Sequence, residues 1–155
     1  MSQNLVIKGG RIFDPSQNLD KVGDLVIVDG KIAGIDTKPA GNFQTIDAKG
    51  LLVTPGWVDI HCHFREPGHT HKEDFTSGST AAAFGGVTGF VDMPNTLPAT
   101  VTLRAVKDKL ALAAQKSVVD YAVWAGGTWY MGELPQMLRY AAGIKTYLGA
   151  TTGDL

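Results

Sequence analysis

Cysteine occurs once in the 155 residues, at Cys62, so no intrachain disulfide can form and a reducing compartment is the expected setting. Long apolar runs are missing. No stretch approaches the length that crosses a bilayer, and the N-terminus Met1-Ser2-Gln3-Asn4 lacks the apolar core of a signal peptide. Neither charge sign dominates: 14 basic residues face 15 acidic ones, which leaves no basic stripe for nucleic acid and no acidic tail for a partner protein. Low-complexity tracts are absent as well. These absences imply a soluble, cytoplasmic, globular chain with no nucleic-acid or membrane partner. A hydrophobic content of 44% suffices for a sizeable core.

Histidine is scarce and concentrated. All four lie within positions 61–71, as His61-Cys62-His63 and His69-Thr70-His71, and none follows. The first pair ends an apolar run over 51–60 whose β-branched and aromatic residues read as a buried strand. Residues two apart in a strand share a face, so His61 and His63 project together while Cys62 faces the other way. Arg65 comes next in line if the extended geometry persists. Neutral imidazole is the commonest protein ligand for zinc and related metals, and two from one strand supply half of a typical site. His69 and His71 lie in a polar stretch and read as solvated loop residues. Cys62 reads as a small packing residue, and Trp57, Trp124 and Trp129 as core or helix-packing residues.

Two patterns divide the chain. Residues 1–52 read as a small antiparallel β module: Leu5–Lys8, Arg11–Asp14, then Asp24–Val28 and Lys31–Ile35 around the hairpin signal Asp29-Gly30. Residues 53–155 alternate strand and helix. The strands are Trp57–His63, Val87–Met93, Val118–Ala125 and Gly143–Leu148; the helices are Glu73–Phe84, Thr102–Gln115 and Gly132–Ala142. Such alternation implies a parallel sheet covered by helices. A closed eight-stranded α/β barrel needs about 200 residues or more, so if the fold is a TIM-type (β/α)8 barrel these residues hold its first half, about four strands. Thr151–Leu155 read as a loop after the fourth strand, and the chain reads as cut.

Ligands of parallel α/β sheets gather beyond the carboxyl ends of the strands. Three strands deliver polar groups there: His61, His63 and Arg65; Asp92-Met93-Pro94-Asn95-Thr96; and Lys145 within Gly143–Leu148. Pro55 through Gly68 also fit the pattern Pro-Gly-x-x-Asp-x-His-x-His-Phe-Arg-Glu-Pro-Gly, joined by Gly85-Gly86-Val87-Thr88 and the Asp92–Thr96 element. On these motifs the whole chain resembles the N-terminal half of a cyclic amidohydrolase, specifically a type I dihydroorotase. The β module would then belong to a composite side domain.

The resemblance implies that His61 and His63 bind the more buried zinc of a metal pair. Lys145 matches a lysine that reacts with carbon dioxide in many members, and the N6-carboxylated side chain bridges both metals. An amine must be neutral for that reaction, and burial favours the neutral form. Asp154 matches the neighbourhood of an aspartate that bridges in other members, so the choice between Lys145 and Asp154 stays open. Arg65 and Asn95 match residues that hold the substrate carboxylate, which suits a planar guanidinium. The implied reaction is the reversible closure of N-carbamoyl-L-aspartate to L-dihydroorotate in pyrimidine biosynthesis. The remaining metal ligands and the proton-transfer aspartate come from later strands in that family, so no residue of this chain is assigned the catalytic proton transfer. The isolated chain is therefore expected to be inactive. Two other readings are an allantoinase or hydantoinase, and a non-catalytic half barrel that associates with copies of itself or with a complementing C-terminal half.

Overall fold

The computed structural model describes residues 4–38 and 41–149. The chain divides into two compact units, Met1–Pro55 and Gly56–Leu155. In the first, β1 (Leu5–Asp14), β2 (Leu19–Val28) and β3 (Lys31–Ile35) form an antiparallel meander. Asp29 and Gly30 both take positive φ, 51° and 74°, as a primed hairpin turn requires. Two expectations fail here. Gly9-Gly10 does not separate two strands; β1 runs on through an irregularity between Ile7 and Gly10. Nor is the sheet purely antiparallel, because β4 (Gln44–Asp47) and β5 (Leu52–Val53) both run parallel to β1. A side chain at Gly10 would come within 2.5 Å of Val53, so glycine permits the close approach of β5.

The second unit is β6 (Trp57–Cys62), α1 (Phe75–Phe84), β7 (Val87–Asp92), α2 (Leu103–Lys116), β8 (Asp120–Gly126), α3 (Leu134–Met137) and β9 (Gly143–Lys145). Its sheet is wholly parallel in the sequential order β6-β7-β8-β9, the arrangement of the first half of a (β/α)8 barrel. The sheet curls. Trp124 Nε1 on β8 donates to Ile60 O on β6, two strands away, at 2.8 Å.

Helix bounds follow from capping. Asp74 accepts from Ser77 N at 2.7 Å and its own N–H donates to Ser77 Oγ at 3.4 Å, a capping box, so α1 begins after Asp74. Thr102 caps α2 from one side only, accepting from Ala105 N at 3.1 Å. The third helix is much shorter than the expected span over 132–142. Tyr140 and Ala141 both bond back to Met137 O, and Ala142 N turns away to Val123 O on β8, which ends the helical ladder.

Among the described residues, two buried clusters make the core of the second unit. Phe64, Phe75, Phe90 and Ala113 pack with Cys62, Leu112 and Val119; Val106, Val123, Ala125 and Met137 pack with Leu103, Leu110 and Ile144 among others. The run leading to the histidines is not buried as expected. Trp57, Val58 and Ile60 are 63%, 64% and 63% exposed, because among the described residues β6 lies at the edge of the sheet and pairs with β7 alone. Trp129 is likewise exposed, at 93%, so neither it nor Trp57 is a core residue.

Candidate active site

The carboxyl ends of β6 and β7 carry the polar groups singled out above. Asp59 Oδ1 accepts from His61 N at 2.9 Å where β6 ends. The rings of His61 and His63 lie 5.5 Å apart between centroids, tilted by 54°. His63 is half-buried, and its Nδ1 lies 2.9 Å from Asn95 Oδ1. An amide oxygen only accepts, so the proton sits on Nδ1 and the lone pair on Nε2, the form a metal ligand needs.

Burial pushes the His63 imidazole below its ordinary 6.5, and the positive charge of Arg65 pushes the same way, against the Asn95 bond and Asp92. The ring is therefore neutral at pH 7. The unfolded chain takes up this proton first, so the His63 contribution to stability declines as pH falls through 6.5. An NMR titration of metal-free protein should give His63 a midpoint below 6.5; a midpoint at or above that value contradicts the assignment.

Arg65 does not continue the strand. Its φ is +60°, a left-handed conformation costing about 1–3 kcal/mol in a non-glycine residue, and its carbonyl accepts from His69 N at 2.9 Å. It therefore leaves the line of the histidines, while its charge still reaches His63 and Tyr147. The next residue, Glu66, is buried. Its Oε2 accepts from Phe75 N at 2.9 Å, and its Oε1 pairs with Lys116, whose pKa it raises. Leu97 N donates to Pro67 O at 3.1 Å, and a side chain at Gly68 (φ +88°) would stand 2.2 Å from Leu97 O. Glycine at 68 thus lets the loop after β6 lie directly against the loop after β7.

Lys145 closes β9, half-buried, with Nζ 5.3 Å from the centroid of the Tyr147 ring. The Tyr147 hydroxyl is buried without a hydrogen-bond partner among the described residues, and burial raises its pKa while Arg65 opposes the shift. Asp154 lies outside the described residues. Cys62 faces away from the histidines, donating to Val91 O, and burial pushes its thiol up to about 12. The rings of His69 and His71 are 6.2 Å apart in the loop before α1.

The donor set of the site suits a zinc-class ion in kind but only in part by number. Two imidazoles converge, and a tetrahedral ion takes four ligands. Among the described residues no three His, Cys, Asp or Glu side chains come together.

Sequence reasoning missed the anchors beneath the site. Asp92 at the end of β7 accepts from Phe64 N at 2.8 Å through Oδ1, and its Oδ2 lies 2.6 Å from Lys109 Nζ. That second approach is a contact of charges outside hydrogen-bond geometry. The signal was present in α2, where Val106, Lys109 and Ala113 share the i, i+3, i+7 face and all are buried.

A sequence profile of the amidohydrolase family matches residues 52–147. The chain belongs to the amidohydrolase family. It is 50% identical over 144 residues to a dihydroorotase of Geobacter metallireducens, covering 92% of this chain and 34% of that protein. A dihydroorotase of Streptococcus pneumoniae is 48% identical over 115 residues, covering 74% and 27%. Among solved amidohydrolase-like structures, the L-hydantoinase (dihydropyrimidinase) of Arthrobacter aurescens superposes with a TM-score of 0.83 at 33% identity, over 98% of this chain and 34% of that one. The chain thus spans about a third of the length of these relatives. The amidohydrolase match contains His61, His63, Arg65, Asn95 and Lys145. Among the described residues no helix is long and apolar enough to cross a membrane.

Proposed function

We propose that this chain carries the first metal-binding and substrate-binding residues of a dihydroorotase, which interconverts N-carbamoyl-L-aspartate and L-dihydroorotate. The observation that carries the reading is the His61–His63 pair with Asn95 on Nδ1 of His63, in a chain half identical to a dihydroorotase over 92% of its length. The weaker identity to hydantoinases, 33%, supports the same chemistry on a related ring and ranks it second.

His61 and His63 would hold a zinc ion, and Lys145 as its N6-carboxylated form, or Asp154, would bridge it to a second. When bound, such a pair supplies Lewis-acid polarisation of the ring amide and an activated water. His63 serves as a ligand because Asn95 keeps its proton on Nδ1. Arg65 offers a forked pair of N–H donors to the substrate carboxylate, and the amide nitrogen of Asn95 is the donor for the same group. The left-handed Arg65 backbone and the tight Gly68–Leu97 contact hold these two loops side by side.

The test is turnover of L-dihydroorotate, followed by NMR as N-carbamoyl-L-aspartate appears, with hydantoin and allantoin offered in parallel. The chain alone is expected to be inactive. Mixed with the C-terminal remainder of the Geobacter metallireducens relative, it should open L-dihydroorotate and leave the other two rings untouched. Turnover of hydantoin or allantoin instead would reassign the substrate, and inactivity of every mixture would favour a half barrel that only associates.

A further inference from the structure

One ammonium group lies under both supports of His63. Lys109 Nζ, on a side chain 1% exposed, donates to Met93 O at 2.7 Å and stands 2.6 Å from Asp92 Oδ2, whose residue is fully buried. Asp92 Oδ1 in turn accepts from the N–H of Phe64, the residue after His63, at 2.8 Å. Met93 leads through Pro94 to Asn95, which bonds the His63 ring at 2.9 Å. Met93 N also donates to Cys62 O at 3.0 Å, on the other side of His63. Backbone and ring of His63 are thus both referred to the same lysine.

A buried ion pair is a poor device for stability alone. Two charges taken out of water recover little net energy, and an apolar pair of similar volume often serves as well. Burial lowers the Lys109 pKa, with Asp92 opposing. What such a pair does better than leucines is fix direction, because Lys109 Nζ donates to Met93 O at 2.7 Å and Asp92 Oδ1 accepts from Phe64 N at 2.8 Å, bonds that an apolar pair could not make.

We infer that Lys109 is a positioning residue for His63, holding its backbone through Asp92 and its ring through the Met93–Asn95 segment. The inference rests on the proposed metal role of His63, and the experiment separates the two. Lys109→Met alone would strand the Asp92 carboxylate and endanger the fold, so Lys109→Met is combined with Asp92→Asn. Asparagine still accepts from Phe64 N but is neutral, and circular dichroism with thermal melting establishes that the double variant is folded.

Two readouts are then taken on the full chain. Long-range 1H–15N NMR of the metal-free protein reports which nitrogen of His63 carries the proton. In the unaltered chain it should be Nδ1, and in the folded double variant a mixture of both tautomers. Titration with Co2+ should show affinity reduced by about 10–100-fold, the usual consequence of losing an outer support of a ligand, with an altered cobalt absorption band. A folded double variant with unchanged tautomer and unchanged Co2+ affinity overturns the inference. If the unaltered chain binds no Co2+ while the tautomer result holds, the positioning role stands and the metal role of His63 falls.

Discussion

Replacing His61 and His63 together with alanine should abolish binding of a zinc-class ion, while replacing His69 and His71 together should leave it intact. Both pairs have the same His-x-His spacing, so composition does not separate them. Geometry does. His63 is half-buried, bonded through Nδ1 to Asn95 and held neutral by burial and by the charge of Arg65. His69 and His71 lie in the loop before α1, their ring centroids 6.2 Å apart, with no ring bond to a site residue such as the one His63 makes to Asn95 among the described residues. Loss of an outer support typically costs a metal site about 10–100-fold in affinity. Loss of both imidazoles removes half of a four-ligand set and should exceed that range. Equilibrium dialysis of Zn2+ against the two double variants decides the matter. Retained binding in the His61/His63 variant would move the site elsewhere.

Much of the second unit was legible because its signals are local. The βα rhythm there, like the Asp29-Gly30 turn of the first unit, depends on neighbours within a few residues. The His61–His63 juxtaposition follows from strand parity alone, although parity failed two residues later, when the left-handed Arg65 turned the chain. What stayed hidden depends on distant partners. Whether β4 and β5 join β1 parallel or antiparallel is decided by the path of the intervening chain, which leaves no trace in residue alternation. The exposure of β6 is set by what lies beside it, and an apolar run reads the same at an edge as in a centre. Lys109 falls between these cases. A lysine on the buried stripe of α2 was visible by periodicity, but its meaning needed Asp92, 17 residues upstream in sequence and on another element.

Phe75→Ala should be the costliest truncation in the second unit, lowering its stability by about 3–5 kcal/mol, as measured by urea denaturation. Phe75 is fully buried at the start of α1, edge-on to Phe64 at 6.1 Å and stacked on Phe90 at 6.0 Å. Its backbone N–H stays bonded to Glu66 in the variant, so the loss isolates the ring. Neighbours cannot readily close the gap: the Phe64 and Phe90 rings already lie 4.4 Å apart between centroids, and the Phe64 ring lies against Gly78, where an added methyl would meet it at 2.6 Å. A domain holds only about 5–15 kcal/mol in all, so one ring accounts for a large share. Phe84 is the control, in the same helix and 91% exposed, and Phe84→Ala should change stability by no more than about 0.5 kcal/mol. Because Phe64 follows His63 directly, the cavity should also loosen the metal ligand, so Zn2+ affinity should fall in Phe75→Ala and hold in Phe84→Ala. Equal denaturation midpoints for the two variants would show that the aromatic cluster is not what holds this half of the chain together.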